Sequence, residues 1–192
     1  MYLKSLSCLF LFLIIGNSVF SQKYLSVETS DISSEWKGNT FTSSKTFFEN
    51  IENAPQFSVL SKKLKGESLR KSIESPEMVT IFAFSDEAFS NFSKEKTDSI
   101  VGNTNLMNTI VKNMVVPGRV DEHSLRTEVK KQNGLIYLTT LSHQKLGVKE
   151  VNGRLVLVDS EGNTATITET NFTHKNGFFH IVNGLIYPPE EN

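Results

Sequence analysis

Cysteine is almost missing from this chain of 192 residues: Cys8 is the only one. A single thiol closes no internal disulfide and supplies no thiolate cluster for a metal. Charge of one sign is missing too, since 20 basic and 21 acidic side chains are interspersed and leave a formal net charge of −1. No basic stripe results, and nucleic acid is excluded as a partner. Long apolar runs are also missing. The longest, Leu9 to Ile15, falls well short of the roughly 20 residues a bilayer-spanning helix needs.

Catalytic signatures are equally scarce. The sequence has no G-x-S-x-G elbow and no glycine-rich phosphate loop. The four histidines, His123, His143, His174 and His180, fall in no metal-ligand spacing. Asp86-Glu87 is an adjacent pair, and neighbouring helical residues diverge by about 100°, so the two carboxylates serve as capping or surface charges. Asp159-Ser160-Glu161-Gly162-Asn163 is too short for a calcium loop and reads as a turn. These absences predict a protein that is not an enzyme and uses no cofactor and no metal.

What is present divides the chain. Lys4, the apolar run and the small residues up to Ser21 have the order of a secretory signal peptide over residues 1–21. Cleavage there removes Cys8, which precedes the apolar run and is misplaced for lipid attachment. Residues 22–42 are polar and rich in Ser and Thr, and read as a linker or loosely docked arm, with Trp36 packing on the domain edge. A folded domain is expected over 43–189, followed by a tail at 190–192.

Within the domain, Phe47, Phe48 and Ile51 form one helical stripe. Pro55 opens a second helix carrying Phe57, Leu60 and Leu64, and Leu69 and Ile73 mark a third. Met78 to Ala83 reads as a buried strand, with Ser85 as N-cap of a helix whose inner face is Ala88, Phe89 and Phe92. Leu106, Met107, Ile110, Val111 and Met114 give another helix, stopped at Pro117-Gly118. From Leu135 the apolar period becomes strand-like. Asn152-Gly153 and Asn176-Gly177 mark tight turns, and Asn183-Gly184 precedes a last apolar run, Leu185 to Tyr187. Helices first and strands last predict an α+β domain with helices packed on a compact sheet or sandwich.

Three segments in order resemble the fasciclin domain family. Thr80-Ile81-Phe82-Ala83-Phe84-Ser85-Asp86-Glu87-Ala88-Phe89 is similar to the family's first signature, a strand running into a helix. Val115-Val116-Pro117-Gly118 resembles a central V-V-P-G segment. Asn176-Gly177-Phe178-Phe179-His180-Ile181-Val182-Asn183, with Leu185 and Pro188, is similar to the second signature. The resemblance implies the fasciclin fold, with Thr80, Phe82, Ala83, Ala88, Phe89, Pro117, Gly118, Asn176, Gly177 and His180 as structural positions. The chain departs from the family pattern at Phe84 (usually Pro), Asn183 (often Asp), Asn113-Met114 (a Tyr-His pair) and Asn171-Phe172 (an Asp-Ile pair). In animal relatives the two pairs are associated with integrin contact. Asn171, Phe172, Asn113 and Met114 are therefore the candidate binding residues, and their identities argue against an integrin-type partner.

The resemblance and the export signal together imply a secreted or surface-associated adhesion domain that binds an extracellular or envelope protein or glycan. The 14 phenylalanines leave a second class open, a carrier of a small hydrophobic pigment or lipid. Asn91-Phe92-Ser93 and Asn171-Phe172-Thr173 also match the N-glycosylation triplet.

Overall fold

The computed structural model describes residues 31–187. The expected signal peptide, residues 22–30 of the polar arm, and the tail lie outside the described residues. Lys37 and Gly38 both adopt positive φ, 45° and 77°, the requirement for a two-residue hairpin turn that follows strand twist. They join β1 (Ser33–Trp36) to β2 (Asn39–Thr42). The stretch expected to be a linker or loose arm is therefore, from Ser33 to Thr42, a docked hairpin. Phe41 is fully buried, with its ring 5.2 Å from Phe172 and 5.1 Å from Phe179. Asn50 secures the neighbouring backbone, accepting from Thr42 N at 2.7 Å and donating to its carbonyl at 3.0 Å. One buried side chain in a four-residue strand is too short a pattern to register as periodicity.

Helix α1 (Phe47–Ile51) starts with a reciprocal capping box between Thr46 and Glu49. Pro55 opens a 3-10 turn that runs into α2 (Ser58–Leu64). The first amides of α2 have no local cap. Asp86, far along the chain, supplies one, its carboxylate accepting from Ser58 N (3.1 Å), Ser58 Oγ (2.6 Å) and Val59 N (3.0 Å). After α3 (Glu67–Glu74) comes β3 (Val79–Phe84), buried at every residue. The helix expected after Ser85 is a single 3-10 turn, Asp86–Phe89, and the Ser85 hydroxyl caps nothing. Asp86 is committed to α2 instead.

Helices α4 (Lys94–Gly102) and α5 (Thr104–Asn113) lead to β4 (Val115–Pro117), and α6 (Glu122–Lys131) precedes five strands. These are β5 (Leu135–Thr139), β6 (Lys145–Val151), β7 (Arg154–Val158), β8 (Thr164–His174) and β9 (Gly177–Val182). They form, with β3 and β4, one seven-stranded sheet in the order β4-β3-β9-β8-β7-β6-β5. Only β3 and β9 are parallel, with Phe82 opposite His180. The two edges approach each other, Leu141 N donating to Val115 O at 2.8 Å, so the sheet is nearly a barrel rather than a sandwich. The α+β class stands. Leu185 to Tyr187 forms no strand, although Leu185 and Ile186 are buried.

Gly177 opens β9 at φ +146°, and a Cβ there would lie 2.2 Å from the Val79 carbonyl oxygen. Only glycine lets β9 start this close to β3. The hairpin's place in the core gives a direct test. Phe41→Ala should lower unfolding free energy by about 3–5 kcal/mol in urea titration, the range for a buried Phe. A change near zero would return residues 33–42 to the status of an arm.

Candidate functional site

Three signature side chains converge on the loop that follows β4. Thr80 Oγ1 donates to the Gly118 carbonyl and accepts from Val120 N, both at 2.8 Å. His180 Nδ1 accepts from Asn171 N at 3.2 Å, which places its proton on Nε2, and Nε2 donates to Val120 O at 2.9 Å. Phe82 stacks on the imidazole with centroids 5.5 Å apart. Burial lowers the His180 pKa, against the pull of Val120, Glu122 and Asp121, so the ring is held neutral. Thr80 and His180 are both fully buried. The polar groups of the signature thus bond inward and fix a loop.

Beyond the loop, Asp121 caps α6 through Ser124 N at 2.7 Å. This hydrogen bond holds the Asp121 carboxyl below its ordinary range. Glu122 accepts from Thr170 Oγ1 and from Arg126 Nε, and those bonds lower its pKa likewise. Arg126 reaches on to the Gly153 carbonyl and to Glu150, tying α6 to the β6–β7 turn. Neither α6 nor this ion-pair cluster was expected. The sequence does hold a signal for them: Asp121 as cap, Glu122 and Arg126 four apart, and Leu125 and Val129 as a buried stripe.

The four candidate binding residues occupy two neighbourhoods. Asn171 sits at φ +64°, where β8 shifts register against β9, and its Oδ1 accepts from Glu122 N at 2.8 Å. The residue is exposed to solvent, whereas Phe172 is buried and stacked on Phe179. Asn113 and Met114 are both buried at the end of α5. Asn113 Oδ1 accepts from the Ser142 hydroxyl, and the residue lines a cleft of about 370 Å³ with Tyr187, Leu146 and Gln144. Only Asn171 of the four is exposed.

His174 stands apart from the signature cluster, buried against Phe47 and Phe179. Its Nε2 has no hydrogen-bond partner. Burial brings its pKa down to about 4, the nearby Arg119 charge acting in the same sense while the backbone at Val79 and Phe178 opposes. Other phenylalanines, among them Phe41, Phe47, Phe57 and Phe82, are fully buried core. Among the described residues no group of three or more His, Cys, Asp or Glu is placed to hold a metal ion.

Comparison with known proteins agrees with this geometry. The model of the Fasciclin domain family matches residues 55–188, well over half of the sequence, and the chain belongs to that family. Human Periostin is 23% identical over 146 residues, 76% of this chain but only 16% of Periostin. A solved FAS1 domain pair from the insect cell adhesion molecule Fasciclin I superposes with a TM-score of 0.60 at 15% identity. It covers 82% of this chain and 57% of that one, a likeness of fold. The chain thus spans less than two thirds of either relative.

Two outcomes follow from the buried polar groups. Thr80→Val leaves the Gly118 carbonyl and Val120 N–H without partners and should cost about 1–3 kcal/mol. Hydrogen exchange at Val120 should accelerate, and unchanged exchange would remove Thr80 from that role. For His174, the unfolded chain takes up a proton near pH 6.5 that the folded chain refuses until about pH 4. Stability should therefore fall by up to about 3 kcal/mol as pH is lowered through this window, and be unaffected by His174 above it. Chemical denaturation of wild type and His174→Gln from pH 7 to 4 checks this. Parallel curves would contradict it.

Proposed function

We propose that this chain is a non-enzymatic, secreted or surface-associated binding domain that recognises an extracellular or envelope protein or glycan. The observation that carries the reading is the fasciclin domain itself, matched over residues 55–188. Support comes from the solved relative, which is described as a cell adhesion molecule. Thr80 and His180 engage in bonds to the 118–120 loop, so recognition falls to outward-facing surface. Asn171, with Glu122 beside it, is one candidate contact on that surface, and the cleft lined by the buried Asn113 is another. Export by a signal peptide over residues 1–21, and a domain extending to 189, belong to the same proposal. Fold alone does not select the partner.

A carrier of a small hydrophobic ligand is the second reading. Clefts of about 370 and 420 Å³ are of the size that accepts small molecules, which favours it. The buried phenylalanines, packed on one another, are not available to line such a site.

Affinity capture with tagged residues 22–192 in the native host separates the two. Specific enrichment of one surface protein or polysaccharide over an inert exported control is the expected result. A stoichiometric pigment or lipid, seen by mass spectrometry and visible absorption without a macromolecule, would make this protein a carrier.

A further inference from the structure

Separate segments of the chain converge on the cleft of about 370 Å³ that Asn113 lines. They are the end of α5, the β5–β6 turn, the β7–β8 turn, and the run after β9 that carries Ile186 and Tyr187. Bonds within the domain fix these walls. Thr140 N donates to Gln144 O and His143 N to Thr140 O, both at 3.0 Å. Asp159 holds its own turn, accepting from Glu161 N (3.0 Å), Asn163 N (2.8 Å) and Asn163 Nδ2 (2.9 Å). A cleft with walls set in advance loses little binding energy to ordering them.

The lining holds polar groups that the fold itself does not use. Asn113 is only 3% exposed, yet Ser142, bonded to its Oδ1, is its one hydrogen-bond partner among the described residues. Asn113 Nδ2 is not sealed from solvent as the unsatisfied Thr173 Oγ1 and His174 Nε2 are, and the cleft is where it opens. Its two N–H groups are left to whatever enters there. Gln144 adds a second carboxamide, exposed and, among the described residues, bonded through its backbone only.

Part of the lining is apolar. Leu146 and Ile186 are buried, and Tyr187 is half-buried with its hydroxyl closed off from solvent. What Tyr187 offers the cleft is therefore its ring. Charge is balanced, since Lys145 and Asp159 both line the cleft and both are already bonded, Lys145 Nζ to Thr139 Oγ1 at 2.9 Å.

These features select among ligands. A carboxamide both donates and accepts, as a hydroxyl does, and two of them suit a ring that carries several hydroxyls. The Tyr187 ring, Leu146 and Ile186 suit the C–H face of that same ring. Balanced charge attracts neither an anion nor a cation. A pigment or acyl chain would cover the Asn113 donors without giving them an acceptor, which is costly.

We propose that this cleft binds a neutral pyranose unit of an extracellular or envelope glycan. Asn113 Nδ2 and Gln144 bond its hydroxyls, and Tyr187 lies against its apolar face. The proposal deepens the reading of the chain as a binding domain, choosing glycan over protein at this cleft, and rests on it.

The test is a titration of the isotope-labelled intact chain with the methyl glycosides of glucose, galactose, mannose and N-acetylglucosamine. Glucuronate and glucosamine serve as charged counterparts. Expected is saturable binding of at least one neutral glycoside with a Kd of about 1 mM or tighter. The Asn113 side-chain amide and the backbone amides of Gln144 and Leu146 should shift with it. Asn113→Leu should weaken binding about ten-fold, and Ser160→Trp, at an exposed position of the lining, should abolish it by filling the cleft. Where Asn113→Leu does not fold, Ser160→Trp decides. No binding of any neutral glycoside, tighter binding of either charged sugar, or binding that Ser160→Trp leaves unchanged overturns the site. Failure of the glycosides while native capture still yields a surface protein overturns the cleft and leaves the broader reading intact. Glycoside binding that Ser160→Trp abolishes supports the cleft even where native capture yields only a pigment or lipid, which overturns the broader reading alone.

Discussion

Everything in this domain hangs on the parallel pairing of β3 with β9, two segments almost a hundred residues apart in sequence. Placing His180 opposite Phe82 puts a polar ring in the interior, where an unsatisfied donor or acceptor is expensive. Both ring nitrogens find backbone partners, Asn171 N nine residues and Val120 O sixty residues earlier in the chain. Thr80 repeats the device one turn of the pleat earlier with Gly118 and Val120. The pairing therefore fixes the path of the chain after β4, the start of α6 and the bulge in β8 together. Gly177 is the geometric condition for this arrangement, since any side chain there meets the Val79 carbonyl.

The family signatures acquire a physical meaning from this. They mark where β3 and β9 meet and how the following loop is tied down, and their polar atoms point inward. Such residues specify a fold and leave partner choice to positions that vary around it. The departures at Asn113-Met114 and Asn171-Phe172 fit that division. Asn171 accepts the left-handed backbone of the bulge, which asparagine tolerates, and caps α6 in addition. Three of the four side chains are buried, so a ligand reaching this pair of regions meets backbone and neighbours more than the side chains themselves.

Legibility in the sequence followed the length and strength of local patterns. β3, the β6–β7 turn at Asn152-Gly153 and the stripe of α5 are long or conformationally singular, and were readable. The β1–β2 hairpin was not, because Phe41 is its one fully buried side chain and its neighbours are Ser, Thr and Glu. Ser85 looked like a cap because it follows a strand. The competing fact, that Asp86 is needed at the start of α2, depends on a contact 28 residues back in the chain. Register in the seam between β4 and β5 depends on closure of the whole sheet, and no local window contains it.

The most direct test of the central role given to the β3–β9 junction is a double-mutant cycle between Thr80→Val and His180→Phe, read by urea denaturation. The two side chains share the 118–120 loop and Val120 in particular, so the losses should be non-additive, with a coupling of about 0.5–3 kcal/mol. Strictly additive losses would mean that each residue stabilises its own strand, and that the loop is held by something else.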